Sequence, residues 1–355
     1  MDLGFLHPLY ERPGPWASVY ADTSQHDAAA PHERARAARD VLRRLADQGA
    51  DQATCEALRS ALEELRHSPE PFGRALFAAG GRVVLDPPLA APPRGTRAGW
   101  AALPHTTPLL ELAGEDPLCL VAYVDPQGAV LELRGSSGRE DPAAVTTWPE
   151  HHLRLRAEDG PERHAVETAG ALAARHEETR ADLVVLAGPD RERRAVYERL
   201  PQQLRELTVE AEQTMGDRLL PDELAQLREE QVRRHAADDL ELFLSARSPG
   251  PGGRRRAVEG VPALLAAARA HRIAELLVRP SGPDGHREVW VGDEPDQVTL
   301  PGPVGRPSSP VPRAARADDA LLRCAAMSGA PALSVTSVGP DDAPAGGLGA
   351  VLRWS

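Results

Sequence analysis

The sequence has 355 residues, with 41 basic and 53 acidic side chains and a formal net charge of -12. This length exceeds one ordinary hydrophobic core and predicts two or three domains. The negative charge argues against a protein that coats nucleic acid over its whole surface, because its long-range field repels phosphate. Local clusters can still bind RNA. The chain contains no lysine, so every such contact is made by arginine guanidinium groups, which suit bidentate phosphate contacts and stacking on bases.

Three features bear on the cellular compartment. No run of about 18 apolar residues is present, so no membrane span is predicted. The first residues lack a basic region followed by an apolar one, so no signal peptide is predicted. Cys55, Cys119 and Cys324 lie far apart, each within an apolar pattern, which predicts buried thiols in a reducing cytosol. We therefore expect a soluble cytoplasmic protein.

The first part of the chain predicts a strand over Ala17–Ala21, two helices and a β-hairpin. In both helices apolar residues recur at i, i+3, i+4 and i+7. These residues are Ala38, Val41, Leu42 and Leu45 in the first helix, and Leu58, Ala61, Leu62 and Leu65 in the second. Gly49 suits the end of the first helix and Asp51 the N-cap of the second, so an αα-hairpin is predicted. Arg74–Val84 predicts the β-hairpin, with its turn at two glycines.

The central part opens with a predicted hairpin of Leu118–Val124 and Ala129–Arg134, joined by a Pro- and Gly-containing turn. A polar loop and a helix follow. The apolar face predicted for this helix consists of Ala165, Val166, Ala169, Leu172 and Ala173. The short apolar run Leu183–Leu186 predicts a buried parallel strand. Together these elements predict a small α/β domain.

In the last part, Pro221 suits the first position of a helix that runs towards Leu240. Glu241–Ser245 is the next candidate strand, although its pattern does not separate strand from helix. A Pro/Gly loop leads into Arg254-Arg255-Arg256. A helix is then predicted over Val258–His271, with Val258, Val261, Leu264, Leu265 and Ala268 inward. The remaining predicted elements are strands at Glu275–Val278, Glu288–Val291, Ala332–Thr336 and Gly347–Trp354, and a helix at Asp318–Met327.

No catalytic signature is present: the sequence has no HExxH, GxxxxGK[ST] or GxSxG motif. Gly347-Leu348-Gly349 lacks the third glycine of a dinucleotide fingerprint and the helix that should follow. His151-His152 beside Glu150 suggests a metal site as one interpretation. However, adjacent residues on a helix point apart and no third ligand is indicated, which favours solvent-facing histidines. No cofactor and no metal are therefore expected.

The loop centred on Trp148–Arg156 is the main candidate for a functional site, with two interpretations. It is either a surface loop whose Trp148 folds back on the domain, or a nucleic-acid contact in which aromatic rings stack on bases and arginines bind phosphates. Arg254–Arg256 is likewise either a solvated loop or an RNA-backbone clamp. The predicted RNA- or ribosome-binding residues are Arg134, Arg139, Trp148, Glu150, His151, His152, Arg154, Arg156, Arg254, Arg255 and Arg256.

These segments resemble the archaeal and eukaryotic class 1 release factor superfamily, and more closely its bacterial branch. Gly346–Trp354 resembles the closing strand of that family, usually GGIGAILRY, and Ala257–Val278 its helix-to-strand entry. Trp148–Glu158 resembles the bacterial loop-to-helix segment of the type GGWSQRRYQQRAE. Pro13–Tyr20 is similar to the family's opening strand.

The resemblance implies an α/β protein of three small domains in release-factor or pelota-like order. An N-terminal α/β domain would cover residues 1–115. A central RNase H-like domain with a long loop would cover 116–215, and an L7Ae-like domain 216–355. The implied partner is the ribosome, through rRNA at the A site, with an elongation factor as a further possible partner; neither DNA nor membrane is implied.

One departure from the family bears on activity. Hydrolytic members use Gly-Gly-Gln to place water at the ester of peptidyl-tRNA, whereas here the matching stretch runs from Thr146 to Glu150 and Pro149 stiffens it. Glu150 occupies the position of the glutamine, and its ionised carboxylate accepts hydrogen bonds but cannot donate them. The resemblance thus implies a factor that holds the A site idle without peptide release, as the hibernation factor Balon does. The alternatives are a peptidyl-tRNA hydrolase for stalled ribosomes, with Glu150 as general base, and a protein-interaction module without RNA contact.

Overall fold

The computed structural model describes thirteen stretches of the chain. They are residues 1–23, 31–65, 73–115, 117–126, 128–135, 145–147, 161–211, 214–215, 218–219, 221–250, 253–302, 312–336 and 342–354. The chain divides into two compact units: one combines Met1–Gly114 with Asp239–Ser355, and the other is Glu115–Asp238.

Helices and strands are intermixed along the described parts of the chain. The α-helices are α1 (His7–Tyr10), α2 (Pro31–Asp47), α3 (Gln52–Glu64), α4 (Leu109–Leu112), α5 (Pro161–Thr179), α6 (Asp190–Tyr197), α7 (Gln202–Glu206), α8 (Pro221–Arg247), α9 (Val261–Arg269) and α10 (Ala317–Met327). The strands are β1 (Trp16–Asp22), β2 (Gly73–Ala79), β3 (Arg82–Leu85), β4 (Pro88–Leu89), β5 (Arg97–Ala101), β6 (Cys119–Asp125), β7 (Gly128–Arg134), β8 (Val145–Thr147), β9 (Leu183–Ala187), β10 (Thr208–Glu210), β11 (Thr214–Met215), β12 (Arg218–Leu219), β13 (Ala257–Glu259), β14 (Ile273–Val278), β15 (Glu288–Val291), β16 (Val298–Thr299), β17 (Arg313–Arg316), β18 (Ala332–Ser334) and β19 (Leu348–Leu352). The predicted α/β fold class is confirmed, since these elements form several small sheets with helices.

The first sheet of the unit formed by the two chain ends is antiparallel, in the order β3-β2-β1-β5 with β4 beside β2. The predicted αα-hairpin of α2 and α3 packs on it, with Val41, Leu45 and Leu58 fully buried. Gly49, with a φ of 93°, ends the first helix as predicted. The Asp51 side chain accepts a hydrogen bond from the Thr54 amide at 2.9 Å, which confirms the predicted N-cap.

The same unit contains a four-stranded sheet, β13-β19-β14-β18, and a three-stranded sheet, β16-β15-β17. Its main core joins residues from both chain ends, such as Leu6 and Leu9 with Leu321 and Leu322. The amino group of Met1 donates a hydrogen bond to the carbonyl oxygen of Ala332 at 2.9 Å. The first and last segments of the chain therefore bury their apolar side chains together.

A buried polar cluster lies within that shared core. The Asp319 carboxylate, on the first turn of α10, accepts hydrogen bonds from the Thr106 amide at 2.9 Å and the Thr107 hydroxyl at 3.0 Å. His105 Nδ1 donates to its other oxygen at 2.9 Å. Burial would raise the pKa of Asp319, but the charge and hydrogen bond of His105 hold it below its usual range. Burial would lower the pKa of His105, but Asp319 raises it above its usual range.

The other unit is built on a sheet in the order β10-β9-β6-β7-β8. Strands β6, β9 and β10 are parallel, and β6 and β7 form the predicted antiparallel hairpin. Parallel neighbours need crossover connections, which α5 and α6–α7 supply. Leu172 and Val196 cover one face of the sheet, and Leu224 of α8 packs on the other. The predicted buried parallel strand at Leu183–Leu186 is confirmed.

Three local predictions are wrong. Glu241–Ser245 belongs to helix α8 and not to a strand. The helix extends to Arg247, and the ring of Phe243 within it is fully buried. Gly349 makes room for that ring, since an added Cβ there would lie 2.8 Å from it. Val258 lies in strand β13, and helix α9 begins only after Gly260, whose φ of 78° breaks the backbone direction. Val166, predicted inward, is 56% exposed.

Replacing Asp319 by alanine is expected to lower the free energy of unfolding by about 3 to 5 kcal/mol. The change leaves the amides of Thr106 and Thr107 without their acceptor. Urea unfolding followed by circular dichroism measures the loss. As a control, Asp40→Ala removes an exposed carboxylate paired with Arg43 and should cost less than about 1 kcal/mol. Equal losses in the two variants would contradict a stabilising role for the buried cluster.

The pair of His105 and Asp319 predicts a pH-dependent stability. Because the folded pKa of His105 is raised, its contribution is complete below its unfolded pKa of about 6.5 and is lost as the pH rises through the folded value. The difference in unfolding free energy between the wild type and His105→Gln should therefore shrink as the pH rises above about 6.5 and through the raised folded pKa of His105. The same comparison made in an Asp319→Asn background should show no such trend. A trend that persists in that background would contradict the assignment.

Candidate nucleic-acid interface

Most of the predicted RNA-contact loop lies outside the described residues. Arg139, Trp148, Glu150, His151, His152, Arg154 and Arg156 are the predicted contacts that fall there. Its described neighbours are the short edge strand β8, whose Val145 pairs with Arg134 of β7, and helix α5, which begins at Pro161. The proposal for these loop residues therefore remains a prediction from the sequence.

Arg134, at the end of β7, is engaged within its own unit. Its guanidinium donates to the carboxylate of Glu132 at 2.6 Å and to the hydroxyl of Tyr123 at 3.0 Å. Glu132 is only 1% exposed, and a buried carboxylate needs such a partner. In turn, Arg228 donates to the Arg134 carbonyl oxygen at 2.6 Å. The Arg134 side chain thus orders the end of the hairpin from which the loop departs.

Arg254, Arg255 and Arg256 lie on an exposed turn immediately before β13. The turn is closed by hydrogen bonds between backbone groups of Gly250 and Arg254, with the Gly250 amide donating at 2.9 Å. The backbone of Arg256 is held on both sides: its amide donates to Ala246, and its carbonyl oxygen accepts from Leu352 at 2.7 Å. The backbone is fixed, while the three side chains face solvent.

The sheet brings two more arginines and a tryptophan to the same place. Strands β13 and β14 both begin at the end of the sheet where β19 finishes. Arg272 precedes β14, and Arg353 and Trp354 follow β19. The Arg353 amide donates to the Arg272 carbonyl oxygen at 2.8 Å, and the Arg272 guanidinium donates to the Trp354 carbonyl oxygen at 3.0 Å. We call this set, Arg254, Arg255, Arg256, Arg272, Arg353 and Trp354, the arginine edge.

The arginine edge is a local positive surface on an acidic chain. Among the residues that the structure describes, none of its five guanidinium groups forms an ion pair with a carboxylate. Trp354 is 54% exposed, which is unusual for so large an apolar ring. Because neighbouring strands lie about 4.8 Å apart, the backbones of Arg256 and Arg272, on either side of β19, are separated by about 10 Å. This spacing can place guanidinium groups on successive phosphates of a nucleic acid beside an aromatic stacking surface.

Sequence reasoning found only half of the arginine edge. It selected Arg254–Arg256 as a run of like charge but missed Arg272, Arg353 and Trp354, which stand singly in the sequence. The sequence contained a signal for these three residues. Each lies directly before or after a predicted strand of one small sheet, which places it at an end of that sheet. Assigning Val258 to a helix concealed β13, and with it the end of the sheet at which all six residues meet.

The described residues add little support for other site classes. Within these ranges, no group of three His, Cys, Asp or Glu side chains could hold a metal ion. The three cysteines are buried and free, as predicted, and burial raises the pKa of Cys324 to about 12. Such a thiol is a poor nucleophile. No helix in the described parts of the chain has the length and apolar character needed to cross a membrane.

Comparison with known proteins assigns the central part of the chain. Residues 118–249 match the model of bacterial archaeo-eukaryotic release factor family 2. Over 374 aligned residues, which cover 99% of this chain and 96% of the relative, the sequence is 28% identical to the uncharacterized protein Rv2629 of Mycobacterium tuberculosis strain H37Rv. A second uncharacterized protein, from M. tuberculosis strain CDC 1551, matches to the same extent.

Two solved structures align with almost the whole chain at low sequence identity and low TM-score. The archaeal translation termination factor aRF1 is 16% identical, with a TM-score of 0.23 over 98% of this chain and 96% of its own. A model of ribosome-bound archaeal Pelota and ABCE1 is 13% identical, with a TM-score of 0.39 over 99% of this chain and 94% of its own.

The central match indicates the class: residues 118–249 are similar to release factor-like proteins of the archaeo-eukaryotic type. The matching model is that of family 2 of the bacterial branch. The resemblance drawn from the sequence motifs is thereby confirmed at the level of this bacterial branch.

Proposed function

We propose that this protein is a ribosome-binding translation factor of the hibernation or stress type. It occupies the A site through contacts with rRNA and does not release the nascent peptide. An elongation factor of the GTPase kind is a proposed accessory partner. The single observation that carries the ribosome-binding part is the arginine edge, on a chain whose central residues match a release factor-like family. There, five guanidinium groups that pair with no carboxylate among the described residues lie with an exposed tryptophan at one end of a sheet.

The chemistry of the arginine edge favours RNA over an apolar protein surface. Guanidinium groups bind phosphate oxygens bidentately, and base stacking on an aromatic ring contributes about 1 to 3 kcal/mol per base. An apolar protein partner would instead require burial of the guanidinium groups without compensating anions, which is costly. In this proposal Arg254–Arg256 bind the phosphate backbone, while Trp354 stacks on an unpaired base.

The absence of peptide release is inferred from the segment Thr146–Glu150. Glu150 stands where hydrolytic relatives have glutamine, and Pro149 restricts the backbone in place of a glycine. A carboxylate close to the phosphates of rRNA is repelled by them and has no N–H group to donate. Glu150 and Pro149 therefore suit a loop that fills the peptidyl-transferase region without cleaving the ester.

Replacing Arg254, Arg255 and Arg256 together by alanine should weaken ribosome binding and reduce its salt dependence. Three lost phosphate contacts would lower the slope of log K against log salt by about 2 to 3. Co-sedimentation with purified ribosomes across a salt series measures the slope. The control changes Arg36, Arg39 and Arg43 of α2 to alanine, which alters the net charge equally on another surface. Equal slopes in the two variants, or no binding by the wild type at low salt, would contradict the proposal.

A peptide-release assay separates this function from the peptidyl-tRNA hydrolase alternative. Ribosomes carrying labelled peptidyl-tRNA are mixed with the wild type or with Glu150→Gln, and released peptide is counted. We expect no release above background from the wild type. Turnover by the wild type that Glu150→Gln abolishes would establish Glu150 as a general base and overturn the idle-occupancy proposal. Binding measured in parallel shows that both proteins engage the ribosome.

A further inference from the structure

A cleft of about 400 Å³ opens on the unit formed by the two chain ends, and none of the residues that line it belongs to the arginine edge. The segment preceding β1 forms one wall, and residues of β17, α10 and the end of β15 form the other. Three arginines line it: Arg12 from the first wall, and Arg313 and Arg323 from the second. Its volume lies within the range of pockets that hold small molecules.

Arg323 is the central feature of the cleft. The residue is only 4% exposed, and its guanidinium donates to the carbonyl oxygens of Gly292, at 3.0 Å, and Asp293. Within the described ranges, no carboxylate lies at ion-pair distance from this group. Carbonyl oxygens satisfy part of its hydrogen-bonding capacity, but they carry no net charge. A buried cation without an anionic partner is unfavourable in a folded protein unless a ligand supplies the charge.

A second arginine, Arg313, adds positive charge to the same wall of the cleft. Arg313, opposite Val291 in the strand pairing, donates to the carboxylate of Asp293 at 3.1 Å and lies 3.5 Å from the Gly14 carbonyl oxygen. Burial lowers the pKa of Arg323, and the charge of Arg313 lowers it further. Among the described residues, Asp293 is the one carboxylate that pairs directly with these two cations, and its side chain is 69% exposed to solvent.

The other wall completes the arrangement. Arg12 is exposed and lies at the rim, where it can close over a bound anion. Glu11, beside it, is the other carboxylate lining the cleft. Trp16 is 1% exposed and contributes an apolar ring to the interior surface. The cleft is therefore lined by three cations, two carboxylates near solvent and one apolar ring. Positive charge is in excess in its interior.

We propose that this cleft binds the phosphate group of a small phosphomonoester, with Arg12, Arg313 and Arg323 around the phosphate oxygens. A phosphomonoester carries up to two charges on three terminal oxygens, so it can accept from three guanidinium groups at once. A carboxylate offers only two oxygens and one charge. The remaining volume accommodates the organic part of the ligand next to Trp16. This site is independent of the proposed ribosome contacts.

Isothermal titration calorimetry with the full chain tests the site, with adenosine monophosphate, inorganic phosphate and adenosine as probes at constant ionic strength. We expect the monophosphate and inorganic phosphate to bind and adenosine not to bind. Arg12→Ala and Arg313→Ala should each weaken phosphate affinity about tenfold, as expected for the loss of a charge-assisted hydrogen bond. Arg94→Ala removes an exposed arginine elsewhere on the same unit and should leave the affinity unchanged.

Arg323→Met keeps the aliphatic stem and removes the charge, and it should abolish phosphate binding. If that variant does not fold, Arg12→Ala and Arg313→Ala decide the question, since both positions are nearer to solvent. The proposal is overturned if neither phosphate probe binds the wild type, if adenosine binds as tightly as its monophosphate, or if Arg94→Ala loses as much affinity as the cleft variants. Ribosome binding by the same variants is measured separately and does not affect this result.

Discussion

The hydrogen bonds of the buried Asp319 carboxylate are the interaction on which the larger unit depends. They join α10, near the end of the sequence, to His105, Thr106 and Thr107, more than two hundred residues earlier. Long-range contacts of this kind must offset the loop-closure entropy of the intervening chain. The intervening chain includes the whole Glu115–Asp238 unit and also residues 239–318 of the unit that contains Asp319, so this contact closes a long loop. A fully satisfied buried carboxylate specifies one arrangement of the ends, because any shift in register leaves its charge unpaired.

The neighbouring Asp318 carboxylate is also buried, and its surroundings act on its pKa in opposite directions. Burial and the charge of Asp319 raise its pKa, although Arg316 pairs with it. Two adjacent carboxylates in one core can both be tolerated only because Arg316 and His105 lie against them. The apolar core around them, with Leu321 and Leu322 fully buried, provides the stabilisation that offsets this desolvation. The polar cluster therefore contributes specificity of docking more than net stability.

Local chemistry could be predicted from the sequence, whereas long-range partners could not. The cap at Asp51, the glycine at the end of α2 and the β6–β7 hairpin depend on neighbouring residues, and all three are observed. Adjacent carboxylates usually indicate a solvated surface, yet Asp318 and Asp319 are buried, because their partners come from the other end of the chain. Helix α8 could not be distinguished from helix plus strand, since its continuation depends on Phe243 packing at Gly349.

The absence of lysine makes arginine the informative residue of this chain, but its role is set by its partners. Arg193 is buried and bonds Asp190 and the Ala211 carbonyl oxygen, so it stabilises the fold. Arg134 is held by Glu132 in the same manner. Across the described parts of the chain, the arginines of the arginine edge have no such carboxylate, and Arg323 donates to carbonyl oxygens instead. Arginine thus stabilises the fold at some positions, forms an exposed cationic surface at others and lines a candidate binding site at a third. Only the tertiary contacts distinguish these roles.

This distinction also removes the apparent conflict between a net charge of -12 and the proposed RNA contact at the arginine edge. At physiological salt the screening length is about 8 Å, so acidic side chains repel a phosphate only when they approach it closely. A guanidinium cluster on one edge of one sheet attracts phosphate within that same distance. A negative net charge therefore does not by itself exclude the proposed contact, because a phosphate that approaches Arg254–Arg256 is affected mainly by the charges within one screening length.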